Sequence, residues 1–186
     1  MGTRNLTMVI SEGKTKVAQY GQWDGYPEGQ GVTALNFLRD ADIVKFKEKV
    51  DALEWLTEQE LEEINKGDWQ KTHSYLSRDR GAEILELVYN GSATKLINRE
   101  AFAGDSLMNE WTYVIDLDKG TFEVYEGFNK EPLAETERFF GYTSDDTPVL
   151  DRKYYPVKFV KSYFIASLPT DEEFIADFTQ KEEEEG

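Results

Sequence analysis

Residues 18–31 hold three aromatic rings (Tyr20, Trp23, Tyr26), two acids (Asp24, Glu28), three glutamines (Gln19, Gln22, Gln30) and four of the chain's 14 glycines. That mixture suits recognition better than bond-making. Glycines let a backbone approach another molecule, rings supply contact area, and amides fix orientation. Tyr20, Gln22, Trp23, Asp24, Tyr26 and Gln30 are therefore the first candidate binding residues, with residues 23–31 as the centre of the surface. A structural reading competes with this one. In it, Trp23 and Tyr26 fill the core and Asp24 caps the turn.

Arginine supplies the second candidate chemistry. Arg78 and Arg80 form a basic pair within Ser77-Arg78-Asp79-Arg80-Gly81, in an otherwise acidic chain. With Arg4 they are the groups best suited to hold a carboxylate or phosphate, because a guanidinium donates two parallel hydrogen bonds. Arg4 and Arg78 are placed beside the aromatic loop as binding residues. Ser77 or Asp79 equally suits a helix cap.

Catalytic schemes are narrowed by what the chain lacks. There is no cysteine, so there is no thiol nucleophile, disulfide framework or zinc-thiolate site. His73 is the only histidine, in a polar connector, and every histidine-based triad or metal scheme must pass through it. Residues 29–34, Gly-Gln-Gly-Val-Thr-Ala, match the dinucleotide fingerprint formally, but the strand before them closes a hairpin and no parallel strand follows. Residues 116–120, Asp-Leu-Asp-Lys-Gly, start like a calcium loop and then depart from it. They read as a hairpin turn, and Asp145-Asp146 and residues 182–185 read as solvated charge. No metal and no cofactor is expected.

The formal net charge is −16. Residues 1–90 carry 11 basic and 16 acidic side chains (−5), and residues 91–186 carry 10 and 21 (−11). Such a field repels phosphate backbones and anionic lipid, so direct nucleic-acid and membrane binding are not expected. It favours a partner with a basic surface, or serves solubility alone. No apolar run reaches the roughly 20 residues of a membrane helix.

Periodicity and turn residues place these groups on an α+β framework. Residues 4–10 and 15–23 read as an N-terminal β-hairpin, and residues 31–39 and 43–56 as helices. Thr57 and Glu60 form a capping box before a short helix, and residues 80–89 form a further helix. Strands follow at 95–98, 110–117, 121–125, 137–142 and 154–166, taken as antiparallel. A terminal helix spans 171–178. Residues 1–179 read as one domain and 180–186 as a flexible acidic tail. This order is similar to that of hydrolases with an N-terminal nucleophile, which begin on a strand with Thr, Ser or Cys. Here removal of Met1 exposes Gly2 rather than Thr3, so the amine that would act as base sits on the wrong residue.

Residues 1–6, Met-Gly-Thr-Arg-Asn-Leu, and the Gln-Tyr-Gly-Gln-Trp-Asp-Gly-Tyr-Pro-Glu-Gly-Gln-Gly stretch resemble a family of uncharacterised phage, prophage and fungal proteins. Leu-Ser-Arg-Asp at 76–79 and residues 110–118 resemble further segments of it. The family carries no established activity, so the resemblance implies a setting and no catalytic residue. That setting is a phage accessory protein acting in the host cytoplasm. The leading expectation is a non-enzymatic binding protein, a counter-defence factor that docks on a basic host protein or captures a small ligand. An amidohydrolase of the N-terminal-nucleophile type, or an inactive relative, and a purely structural module are the alternatives.

Overall fold

Strand β1 (Asn5–Ser11) turns into β2 (Lys14–Gly21) through Glu12 and Gly13, both in the left-handed region, as a tight hairpin requires. The Asp118 carboxylate accepts from both turn N–H groups at 2.8 Å and so ties this hairpin to the next one. The computed structural model describes residues 2–143 and 154–185, the side chains of 180–185 excepted. Asp145 and Asp146 lie outside the described residues, and so do the side chains of residues 182–185.

A π-helical turn (Pro27–Gly31) leads into α1 (Val32–Asp40) and α2 (Ile43–Asp51). The helix expected to reach residue 56 stops at Asp51. Leu53 is buried, and Glu54–Trp55 instead forms β3, paired in parallel with β4 (Lys95–Leu96). Between them lie α3 (Glu58–Lys66), opened by the expected Thr57–Glu60 capping box, α4 (Trp69–Thr72) and α5 (Ile84–Tyr89). A 3-10 turn, Gly81–Glu83, leads into α5, and neither Ser77 nor Asp79 caps it. Ser77 and Asp79 instead bond to each other within their own turn.

Strands β5 (Trp111–Asp116) and β6 (Thr121–Glu126) form the second hairpin, and β7 (Lys158–Phe164) lies beyond it. The sheet order is β2-β1-β5-β6-β7. β6 pairs antiparallel with both β5 and β7, but β1 and β5 run parallel, with Asn5 opposite Trp111. The sheet is therefore mixed, within the α+β class expected. Residues 137–142 form no strand. They fold as successive turns, with Phe139 buried and Gly141 left-handed. The last helix, α6 (Asp171–Glu185), extends past Phe178.

Both sheet faces are covered. Val9, Tyr113, Ile115, Phe122 and Val124 meet the helices through Leu35, Phe46, Leu85 and Phe174. Leu6, Met8, Val114 and Tyr125 meet an irregular wall that contributes Ala103, Leu133, Phe139 and Val157. Coverage on two sides explains why Met8 and Val9, neighbours that point to opposite faces, are both fully buried. Among the described residues no helix is long and apolar enough to cross a membrane.

Candidate functional site

The start of β1, the end of β2 and the start of β5 coincide, because Asn5 pairs with both Gly21 and Trp111. At that end of the sheet a cleft of about 660 Å³ is lined by Arg4, Tyr20, Gln22, Arg78, Arg99 and Phe102, among others. Each cationic residue arrives by a different route. Arg4 precedes β1, where its N–H donates to the Glu110 carboxylate at 3.1 Å and its carbonyl accepts from Glu110 N–H at 3.1 Å. Arg78 is drawn in by its carbonyl, which accepts from Gln22 N–H at 2.9 Å. Arg99 is held by its N–H donating to the Ala18 carbonyl at 3.1 Å. A smaller hollow of about 100 Å³ shares Tyr20, Arg78 and Arg99 with the cleft.

The electrostatics of this cleft depend on where the nearby carboxylates are spent. Glu110 is spent on the Arg4 backbone. Asp105 accepts from Met108 N–H at 3.2 Å. Asp79 accepts from the Trp23 indole N–H at 2.7 Å, and Glu100 accepts from the Asn98 amide at 3.1 Å. Among the described residues, Arg4, Arg78 and Arg99 consequently have no carboxylate at ion-pair distance. Arg39 and Arg80 each have one, and Arg138 has two. Arg4 Nε is in addition buried without a hydrogen-bond partner. Three arginines lining one cleft suit a bound anion, to which each guanidinium can donate.

Tyr20 lines both the cleft and the smaller hollow. Its hydroxyl donates to Gln22 Oε1, and its ring meets Phe102 edge to face at 5.2 Å. Burial pushes its pKa up, and the pull of Arg4 and Arg78 offsets this only in part. The hydroxyl thus stays a donor at neutral pH.

Four of the eight residues singled out from sequence, Arg4, Tyr20, Gln22 and Arg78, meet in the cleft. The other four do not line it. Trp23 and Tyr26 are 44% and 46% exposed, so neither ring fills the core. Asp24 is exposed and left-handed at φ 55°, and its carbonyl accepts from Gln30 N–H at 2.8 Å. Gln30 is a brace. Its Oε1 accepts from Ala82 N–H at 2.7 Å and its Nε2 donates to the Trp23 carbonyl at 3.1 Å. Gly29 is required here because a Cβ would lie 2.2 Å from the Asp24 carbonyl oxygen. Arg99 and Phe102 were missed, since neither belongs to a local pattern in the sequence.

The remaining chemical groups are engaged elsewhere. His73 contacts the Thr72 hydroxyl at 2.8 Å, away from the cleft. Thr3 is buried and its carbonyl accepts from Gly25 N–H. Asp116 accepts from the N–H groups of Asp118 and Lys119 in its own turn. A second cavity of about 560 Å³ is bordered by Glu123, Tyr125 and Arg138, but those groups satisfy one another. Among the described residues no group of three His, Asp or Glu side chains is placed to hold a metal ion.

No protein-family model matches the chain, and no curated protein or solved structure is significantly similar to it.

Proposed function

We propose that this is a non-enzymatic binding protein that captures a small anionic ligand in the Arg4–Arg78–Arg99 cleft. One observation carries the reading. In a chain of net charge −16, three arginines with no carboxylate at ion-pair distance among the described residues line a single cleft. The overall field repels a long polyanion, while the local cations accept a short one. The family resemblance implies the setting of a phage accessory protein, and in that setting ligand capture would serve counter-defence by withdrawing a ligand from the host. A second reading, docking on a basic host protein, is favoured by the −11 charge of residues 91–186.

The test is calorimetric titration with sodium phosphate, pyrophosphate and citrate at low salt. At least one anion should bind, and Arg4→Ala, Arg78→Ala and Arg99→Ala should each weaken it tenfold or more. Binding should also weaken as salt rises. Absence of binding by every anion, or binding indifferent to all three substitutions, rejects the reading.

A further inference from the structure

We infer that the ligand is a mononucleotide-class molecule, a phosphate carried on a flat, nitrogen-bearing ring. This rests on the anion-capture reading and adds what the other half of the cleft selects. Arg4, Arg78 and Arg99 supply the donors for a phosphate, and Asp105 is the acidic residue that lines the cleft with them.

The cleft lining also holds apolar groups. Phe102 is half-buried and meets the Tyr20 ring edge to face, and Met108, in the same lining, is 38% exposed. A ring face and a thioether suit a flat aromatic body, and exposed guanidinium planes stack on such rings as well. Gln22 adds a directional group. Its amide oxygen is taken by the Tyr20 hydroxyl, so its NH2 is the part left to donate to a ring nitrogen or carbonyl. The volume of about 660 Å³ falls within the range of small-molecule sites, about 300–1,000 Å³. An inorganic anion would leave most of it, and the Phe102 and Met108 side chains, unused.

The experiment is calorimetric titration of the full chain at low salt with AMP, GMP, ribose 5-phosphate, sodium phosphate and a six-residue RNA. AMP or GMP should bind at least tenfold tighter than ribose 5-phosphate. Phe102→Leu should bring the nucleotide down to the level of ribose 5-phosphate. If Phe102→Leu does not fold, Met108→Ala, at an exposed position, should narrow the same difference. Equal binding of nucleotide and ribose 5-phosphate by the parent protein overturns the ring assignment and leaves anion capture standing. Tighter binding of the RNA than of either nucleotide overturns it in favour of a nucleic-acid strand. Failure of every phosphate while citrate binds also overturns it, and failure of citrate as well removes anion capture with it.

Discussion

The indole N–H of Trp23 donates to the Asp79 carboxylate at 2.7 Å, across 56 residues of sequence. This contact occupies the acid next in sequence to Arg78 and so helps keep the Arg78 guanidinium free. Trp23→Phe keeps the ring and removes the donor. The bond is exposed, so stability should change by no more than about 0.5 kcal/mol. Asp79 should then turn to Arg78, and phosphate affinity should fall several-fold. Titration beside a melting curve checks this, and unchanged affinity shows that Asp79 does not compete for Arg78.

Gln30 was singled out as a recognition residue, but its amide joins Trp23 to Ala82. Gln30→Ala leaves the Ala82 N–H without its partner and should cost about 1–3 kcal/mol. Ligand affinity of the folded protein should be nearly unchanged. Gly81 makes the same point, since it is left-handed (φ +51°) and a Cβ there would lie 2.6 Å from Gln30 Oε1. Gly81→Ala should also lower the denaturation midpoint.

Asp24→Asn should be silent in both assays. Its side chain is exposed and takes no part in the cleft, and asparagine tolerates the left-handed backbone as well as aspartate does. A loss of anion binding in this variant would return the functional surface to the 23–31 loop.

Arg138 donates to Asp116 at 2.7 Å and to Glu123 at 2.8 Å, both buried. Burial alone would raise the two carboxyl pKa values. Hydrogen bonds from Arg138, joined by backbone N–H groups at Asp116 and by Tyr125 and Thr121 at Glu123, outweigh it and hold both below their ordinary values. The folded values lie below the unfolded ones. The resulting stability is therefore complete above about pH 4.5, the ordinary carboxylate range, and is lost as pH falls through the folded values. Arg138→Met strands two buried carboxylates and should cost about 3–5 kcal/mol at neutral pH. Melting curves between pH 7 and 3 should show the parent protein losing stability below pH 4.5. The variant, with its carboxyl pKa values no longer lowered, should lack that loss.

Local features were legible in the sequence. Alternation with Glu12-Gly13 and Asp118-Lys119-Gly120 marked both hairpins, and Thr57–Glu60 marked its helix start. Features set by distant partners were not. Glu54 and Trp55 look like the end of a helix until Lys95 and Leu96 offer a strand. Arg138 and Phe139 sit in a strand-like run, but the ion network and the second core take them instead. The cleft followed the same rule. Residues 18–31 drew attention by composition and supplied Tyr20 and Gln22. Arg99 carries no local signal, because the bond that ties it to the sheet goes to Ala18, far away in sequence.

The parallel pairing of β1 with β5 also orders events at the ribosome. β1 emerges first, but its second neighbour begins at Trp111, more than a hundred residues later. Until then the nascent hairpin presents β1 as an open edge, and Arg4 lacks the Glu110 contacts that hold its backbone. Chains released before Trp111 should stick to one another through that edge, so the first half of the protein, expressed alone, is the piece most prone to aggregate. The arginine cleft, which takes Arg4, Arg78 and Arg99 from three separate stretches, cannot be complete until Met108 has emerged.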